Sequence, residues 1–319
     1  MTYIIIKALS PIFIIMLLGF WAGKRKMVDN QNVSLLNVFV MDFALPATLF
    51  TATVQTPWQG ILQQWYLVII IVLAMWITFF VFYFITTKYF KKNASDAAVL
   101  TLTVALPNYA ALGLPILNSI VGETSATSLS VAICIACGSV FLTPLCLLIL
   151  EREKALADGS SHHSTLTMLP SLIWRSMTKP IVLCPLLGVI CSAFNLIMPE
   201  MVIMAIKPLG LASTAAALFL TGLILSARKL KINMVVIVSC SIKLLVQPFI
   251  AWGLVLLFGV EGSLAITAIL VIAFAAGFFG VVFGNRFGVE SPDAEATLLL
   301  TSLLNIITLP LFITLTVGL

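Results

Sequence analysis

Two ionisable side chains lie deep inside apolar stretches of this sequence. Lys243 is eleven positions past Ile232. At 1.5 Å per residue that places it roughly 16 Å into a hydrocarbon core about 30 Å thick. Asp42, nine positions past Val33, reaches roughly 14 Å by the same arithmetic. A charge at the centre of a bilayer costs about 2.5–3.5 kcal/mol, so such residues pair with one another or line a pathway. Two roles are open. Either Asp42 and Lys243 form a structural ion pair, or Lys243 binds an anionic substrate while Asp42 balances it in the empty site and serves as a proton-coupling group. Gln247 lies one turn beyond Lys243 on the same helix face, and Pro248 follows it, so local widening of the helix is expected there.

The second chemical feature is Ala105-Leu-Pro-Asn-Tyr-Ala-Ala-Leu-Gly-Leu-Pro115, set in an apolar run from about Ala97 to Val121 that is long enough to cross a bilayer. A proline inside a helix removes a hydrogen bond and clashes with the preceding turn. Pro107 and Pro115, flanking Asn108 and Gly113, are therefore expected to break the helix; the alternative is an ordinary proline kink. Unpaired backbone at membrane depth survives only where it is buried in protein or lines a polar cavity, and in transporters such breaks surround the substrate. Each half-helix starting at a break presents unpaired N–H groups and the positive end of its dipole, which suits a carboxylate. Pro115 suits the first position of the outer half, and Asn108 and Tyr109 add side-chain polarity.

These residues must be held by membrane helices. Of 319 residues, 61% are hydrophobic and 9% charged, against about a quarter charged in a soluble domain, so the chain is read as an all-α integral membrane protein. Its net charge of +5 sits in short loops and does not point to nucleic acid. The six cysteines all fall in apolar spans; Cys134 and Cys137, though spaced C-x-x-C, read as small hydrophobes. His162 and His163 share one polar loop. No metal site, no cofactor and no catalytic constellation is expected: there is no nucleophile elbow, H-E-x-x-H or P-loop. The basic cluster Lys24-Arg25-Lys26 follows the first apolar run rather than preceding it, unlike a cleaved signal peptide.

Ten spans can be drawn, at about 3–23, 33–54, 65–87, 97–121, 125–150, 171–194, 203–226, 233–258, 263–285 and 294–317. Basic residues follow the odd-numbered spans: Lys24 to Lys26, then Lys88, Lys91 and Lys92, then Arg152, Lys154, Arg175 and Lys179, then Arg228, Lys229 and Lys231, then Arg286. The opposite side holds Lys7 and Lys207. The positive-inside rule makes the odd loops cytoplasmic and both termini external.

The spans repeat. Pro11-Ile12 and Leu17-Leu18-Gly19 match Pro180-Ile181 and Leu186-Leu187-Gly188 at an offset of 169, which also carries Leu49-Phe50 onto Leu218-Phe219. Pro144-Leu145 matches Pro310-Leu311 at an offset of 166. With five spans per copy the second copy must be inverted, the plan of many secondary transporters. The halves are then 1–151 and 171–319, joined by a cytoplasmic loop at 152–170. The repeat also demands a break in span 9, where Ala273-Phe-Ala-Ala-Gly277-Phe-Phe-Gly280-Val-Val-Phe-Gly284 supplies glycines instead of prolines. The competing reading of that stretch is a Gly280-x-x-x-Gly284 helix-packing face.

Met41-Asp-Phe-Ala-Leu-Pro46, the Pro107–Pro115 segment and Phe283-Gly-Asn-Arg-Phe-Gly288 together resemble the bacterial branch of the auxin efflux carrier family, and within it the malonate carriers. The likeness runs along all ten spans. It implies ten transmembrane helices in two inverted five-helix repeats, with broken helices 4 and 9 crossing near the midplane. It further implies a homodimer in the bacterial inner membrane and transport of a small organic anion, malonate first. On this reading the substrate-binding residues are Asn108, Tyr109, Gly113, Gly277, Phe278, Gly280, Lys243 and Gln247. A cation- or proton-coupled exchanger of the same architecture is one alternative, although paired intramembrane acids are lacking; a non-transporting membrane receptor or scaffold is another. A reporter fused after Leu319 is expected to behave as periplasmic, and cytoplasmic activity there would overturn the inverted repeat.

Overall fold

In lipid an apolar run must satisfy its own backbone, which a helix does residue by residue. The computed structural model describes residues 2–30, 32–122, 124–157, 170, 174, 177–196, 198–227 and 231–316, and these are helical with no strand among them. His162, His163, Arg175, Arg228 and Lys229, most of the loop expected at 152–170, and residues 317–319 lie outside the described residues. In chain order the helices are α1 (Thr2–Lys24), α2 (Ser34–Val54), α3 (Trp58–Lys88), α4 (Ala94–Ala105), α5 (Tyr109–Ile120), α6 (Ser125–Lys154), α7 (Pro180–Ala193), α8 (Glu200–Ala227), α9 (Met234–Leu257), α10 (Gly262–Ile272), α11 (Phe279–Arg286) and α12 (Pro292–Thr316). Six of them, α2, α3, α6, α8, α9 and α12, are long and apolar enough to cross a membrane. Spans 4 and 9 are each two shorter helices, α4 with α5 and α10 with α11.

Three helices widen to π turns, at Phe39–Ala44 in α2, Gly138–Leu142 in α6 and Ile242–Val246 in α9. Each lies just before a proline, Pro46, Pro144 or Pro248. A proline lacks the N–H that would bond four residues back and its ring presses on that carbonyl; a wider turn accommodates both. Lys243 sits in the third of these turns and Asp42 in the first.

The chain divides into two compact units, each drawing on both halves of the sequence. The first comprises Met1–Val68, Tyr109–Ala136 and Thr178–Arg228. In it α1 packs on the second part of α8, and α7 on α2, through small residues. A Cβ on Gly19 would overlap the carbonyl of Phe219, and one on Gly188 would reach the side chain of Thr53 and the carbonyl of Phe50. These are the same contact made twice with the partners exchanged, since Gly19 and Gly188, like Phe50 and Phe219, stand 169 residues apart. Ser192 donates to the Thr56 carbonyl at 2.6 Å and Thr48 to that of Gly210 at 2.8 Å, closing the seams.

The second unit comprises Ile69–Asn108, Cys137–Met177 and Lys229–Leu319. At one end three helix N-termini are tied together. Asn93 caps α4 by accepting from Asp96 N at 2.8 Å, and Asn233 caps α9 by accepting from Val236 N at 2.9 Å. Lys92 bonds Asp96 at 2.5 Å and Asp293, in the first turn of α12, at 2.8 Å. Asn233 donates to Asp293 at 2.7 Å and Ser291 to Asp96 at 2.5 Å. Burial alone would lower the pKa of Lys92, but hydrogen bonds to Asp293 and Asp96 outweigh it and the net direction is upward. The two carboxylates also complement the positive helix ends.

Because the Gly19 and Gly188 contacts run against backbone, Gly19→Ala and Gly188→Ala are each expected to destabilise the folded protein by about 1–3 kcal/mol. The thermal unfolding midpoint of the purified variants checks this; unchanged midpoints would show that these helices are free to move apart.

Candidate functional site in the second unit

The interruption of span 4 covers Leu106–Asn108, between α4 and α5, and that of span 9 covers residues 273–278, between α10 and α11. Pro107 ends α4, since a residue before proline is pushed out of the helical region; Leu106 has φ −97° and ψ 111°. Pro115 does not break the chain. It lies inside α5, which starts at Tyr109, so the expectation that Pro115 opens the outer half-helix is corrected. Its missing N–H costs one hydrogen bond, and that alone does not end the helix.

The two interruptions bond to each other. Asn108 N donates to Ala275 O at 3.0 Å and Gly277 N to Leu106 O at 2.7 Å, around an isolated antiparallel bridge between Pro107 and Ala276. Gly277 is required here: a Cβ would run into the Leu106 carbonyl. Three further backbone groups are met by side chains. Ala275 N donates to Asn305 Oδ1 at 3.2 Å, Ala276 N donates to Thr301 Oγ1 at 3.2 Å, and Asn305 Nδ2 donates to Ala273 O at 2.8 Å. Asn305 and Thr301 belong to α12 and were not singled out in the sequence, where one more polar residue in an apolar span carries no address.

Lys243 and Gln247 complete the arrangement from α9. Lys243 Nζ donates to Gln247 Oε1 at 2.6 Å and to Ile272 O at 3.1 Å, and Gln247 Nε2 donates to Ala105 O at 2.7 Å. Both side chains are fully buried. The acceptors of Lys243 within this unit are an amide and a backbone carbonyl. Asp42, in the first unit, has an exposed side chain.

The glycines of span 9 divide between the two readings offered for them. Gly277 serves the interruption. Gly280 and Gly284 lie inside α11 and pack it on α4, where a Cβ on Gly280 would meet Thr103 and the Val99 carbonyl. Gly280 is thus closed off by helix packing rather than open to a ligand. Phe278 is buried and stacks on Phe279 with ring centroids 4.8 Å apart. In the first unit Tyr109 is buried, and Gly113 sits against Val131, which a Cβ would touch.

One side-chain atom at the interruptions stays unsatisfied. Asn108 is 3% exposed and its Oδ1 is buried with no hydrogen-bond partner. Such an atom costs about 1–3 kcal/mol, and the amide presents either its oxygen or, turned by half a turn, its N–H pair. The N-terminus of α11 follows the interruption and leaves its first N–H groups without intrahelical acceptors. Separately, the first unit holds a polar cavity of about 290 Å³, lined among others by Thr48, Thr51, Gln55, Asn118, Ser125 and Lys207. Its walls come from four helices, so no local spacing announced it.

Gln247→Leu would leave the Ala105 carbonyl and the Lys243 ammonium each short of a partner in a dry site. A loss of about 2–5 kcal/mol in stability is expected, read as a drop in the unfolding midpoint; an unchanged midpoint would show that water or a neighbouring group takes over both bonds.

Comparison with known proteins identifies the family. The sequence matches the family described as "Membrane transport protein" over residues 4–313. It is 27% identical over 305 residues to "Uncharacterized transporter YfdV" of Escherichia coli (strain K12), covering 96% of this chain and 95% of that one. It is 23% identical over 300 residues to "Putative malonate transporter" of Rhizobium meliloti (strain 1021), covering 93% and 91%. It is also 26% identical to "Lysosomal cholesterol signaling protein" of Mus musculus, covering 89% of this chain but 34% of that longer one. The match runs across both halves and takes in the interrupted spans, so the chain belongs to the membrane transport protein family, the auxin efflux carriers, and is a transporter and not an enzyme.

Proposed function

We propose that this transporter is a secondary carrier of a small organic anion, malonate first, working by alternating access in a bacterial inner membrane. In this reading ten spans form two inverted five-helix repeats, 1–151 and 171–319. Both termini are periplasmic, two copies form a homodimer, and broken spans 4 and 9 cross near the midplane. The exchanged Gly19–Phe219 and Gly188–Phe50 contacts support the repeat, because a two-fold relation between the halves generates such a pair. The composition of the compact units follows the repeat for spans 1, 2, 6 and 7, which contribute to the first, and for spans 3 and 8 in the second; spans 9 and 10 lie in the second unit, whereas spans 4 and 5 are divided between the two.

The observation that carries the anion reading is Asn108. Around it the interrupted backbone is bonded by other protein groups, while its own Oδ1 has no partner. A polar atom kept dry and unpaired in a transporter suits a ligand that arrives and leaves. The start of α11 adds unpaired N–H groups and the positive end of a helix dipole, which favours a carboxylate over a cation. Malonate is favoured among small carboxylates by the resemblance and by the printed name of the Rhizobium relative. Tyr109, Gly277 and Phe278 would adjoin the substrate, and Asp42 is carried in this reading as a proton-coupling group.

Uptake of radiolabelled malonate into proteoliposomes, with pH, sodium and potential gradients imposed in turn, tests the reading. Asn108→Ala is expected to lower uptake at fixed malonate roughly two- to tenfold, the equivalent of one neutral hydrogen bond, with the protein still folded. Gly277→Leu is expected to abolish uptake. Wild-type kinetics in both variants would move the site elsewhere, and no uptake by the wild-type protein would remove malonate as the substrate.

A further inference from the structure

The Lys243–Gln247 pair serves a purpose that an anion site alone does not explain. Ile272 is the last residue of α10 and Ala105 the last residue of α4. Lys243 binds the carbonyl that ends one half-helix, and Gln247, one turn away, binds the carbonyl that ends the other, while the two side chains bind each other. These are the C-terminal ends, each carrying roughly half a negative elementary charge from the aligned peptide dipoles. A substrate carboxylate belongs at the opposite, N-terminal ends. The side chain is fully buried, and the acceptors of Lys243 within the second unit are the Gln247 amide oxygen and the Ile272 carbonyl, neither of them a carboxylate. What balances it is the pair of half-helix ends, one touched directly and one through Gln247.

In transporters with broken helices, the half-helix C-terminal ends and unwound carbonyls are the groups that hold a coupling cation such as sodium. We infer that the Lys243 ammonium is a built-in cation occupying that position, so that the carrier takes its anion without a bound sodium ion. The π turn at Ile242–Val246 helps by setting Lys243 one residue out of α-helical register just before Pro248. The side chain's length then does the rest: the ammonium reaches the end of α10 while the backbone of α9 stays continuous. Gln247 is the second half of the device, because an amide can accept from the ammonium and donate to a carbonyl at once. This inference rests on the carrier reading for its meaning in transport, but its test has a readout that needs no substrate.

The test uses the full chain in detergent and in proteoliposomes. At constant ionic strength, replacing sodium chloride by N-methylglucamine chloride is expected to leave the wild-type unfolding midpoint unchanged, and wild-type malonate uptake within twofold. Lys243→Met, which keeps length but not charge, is expected to lower the midpoint by several degrees and uptake by roughly ten- to a hundredfold, as for a lost charge-assisted hydrogen bond. Lys243→Ala is expected to fall similarly and to recover part of its midpoint in propylammonium chloride, whose ammonium can enter the vacated space, but not in N-methylglucamine chloride. Saturable sodium stabilisation of the wild-type protein would overturn the inference, as would sodium-dependent uptake or a Lys243→Met variant as stable as the wild type. If no malonate enters in any buffer, the malonate reading fails, and the unfolding midpoints still decide the role of Lys243.

Discussion

A broken helix in a membrane must find partners for every backbone group it releases, because lipid offers none. This constraint organises the second unit. Two interruptions release their backbone side by side and bond across to each other through Asn108 N and Gly277 N. What they cannot provide for one another comes from outside: Asn305 and Thr301 on α12 serve the span 9 interruption, and Lys243 and Gln247 on α9 serve the half-helix ends. Each of these four is an otherwise costly polar residue in an apolar span. The cost is offset because the residue meets a group that would be unpaired without it.

The same logic explains why the interruption can be held in place and still be chemically receptive. Much of its backbone is bonded within the protein. The Asn108 oxygen keeps unused hydrogen-bonding capacity. At the half-helix C-terminal ends the negative pole of each dipole meets the lysine or the glutamine of α9.

Elsewhere the structure is held by close approach and by local charge. Gly19 and Gly188 let helices touch backbone to backbone, the mode of packing that works when lipid competes equally for apolar side chains. At the helix starts of the second unit, Lys92 bridges Asp96 and Asp293 while Asn93 and Asn233 cap neighbouring helices, so three helix N-termini are tied together at one place.

Local chemistry alone determined a good part of this. Composition demanded a helical membrane protein, Pro107 and Asn108 marked one interruption, and the run of glycines around Gly277, reached through the matching segments of the two halves, marked the other although no proline stands there. Depth arithmetic singled out Lys243 and Gln247, and Pro248 announced the widened turn beside them. Each of these follows from a property that a residue carries with it: a missing N–H, a missing Cβ, a charge in an apolar run. Tertiary structure decided which groups meet. Lys243 ends on the Ile272 carbonyl, 29 residues away, and Gln247 on that of Ala105, 142 residues away, and no spacing encodes those partners. Nor did spacing reveal Asn305 and Thr301, the closure of Gly280 against α4, or the cavity around Lys207, since each depends on surfaces brought together from separate helices. Pro115 makes the same point in reverse. Its sequence signal is as strong as that of Pro107, yet α5 continues through it, because a proline removes one hydrogen bond and the surrounding structure determines whether the helix survives the loss.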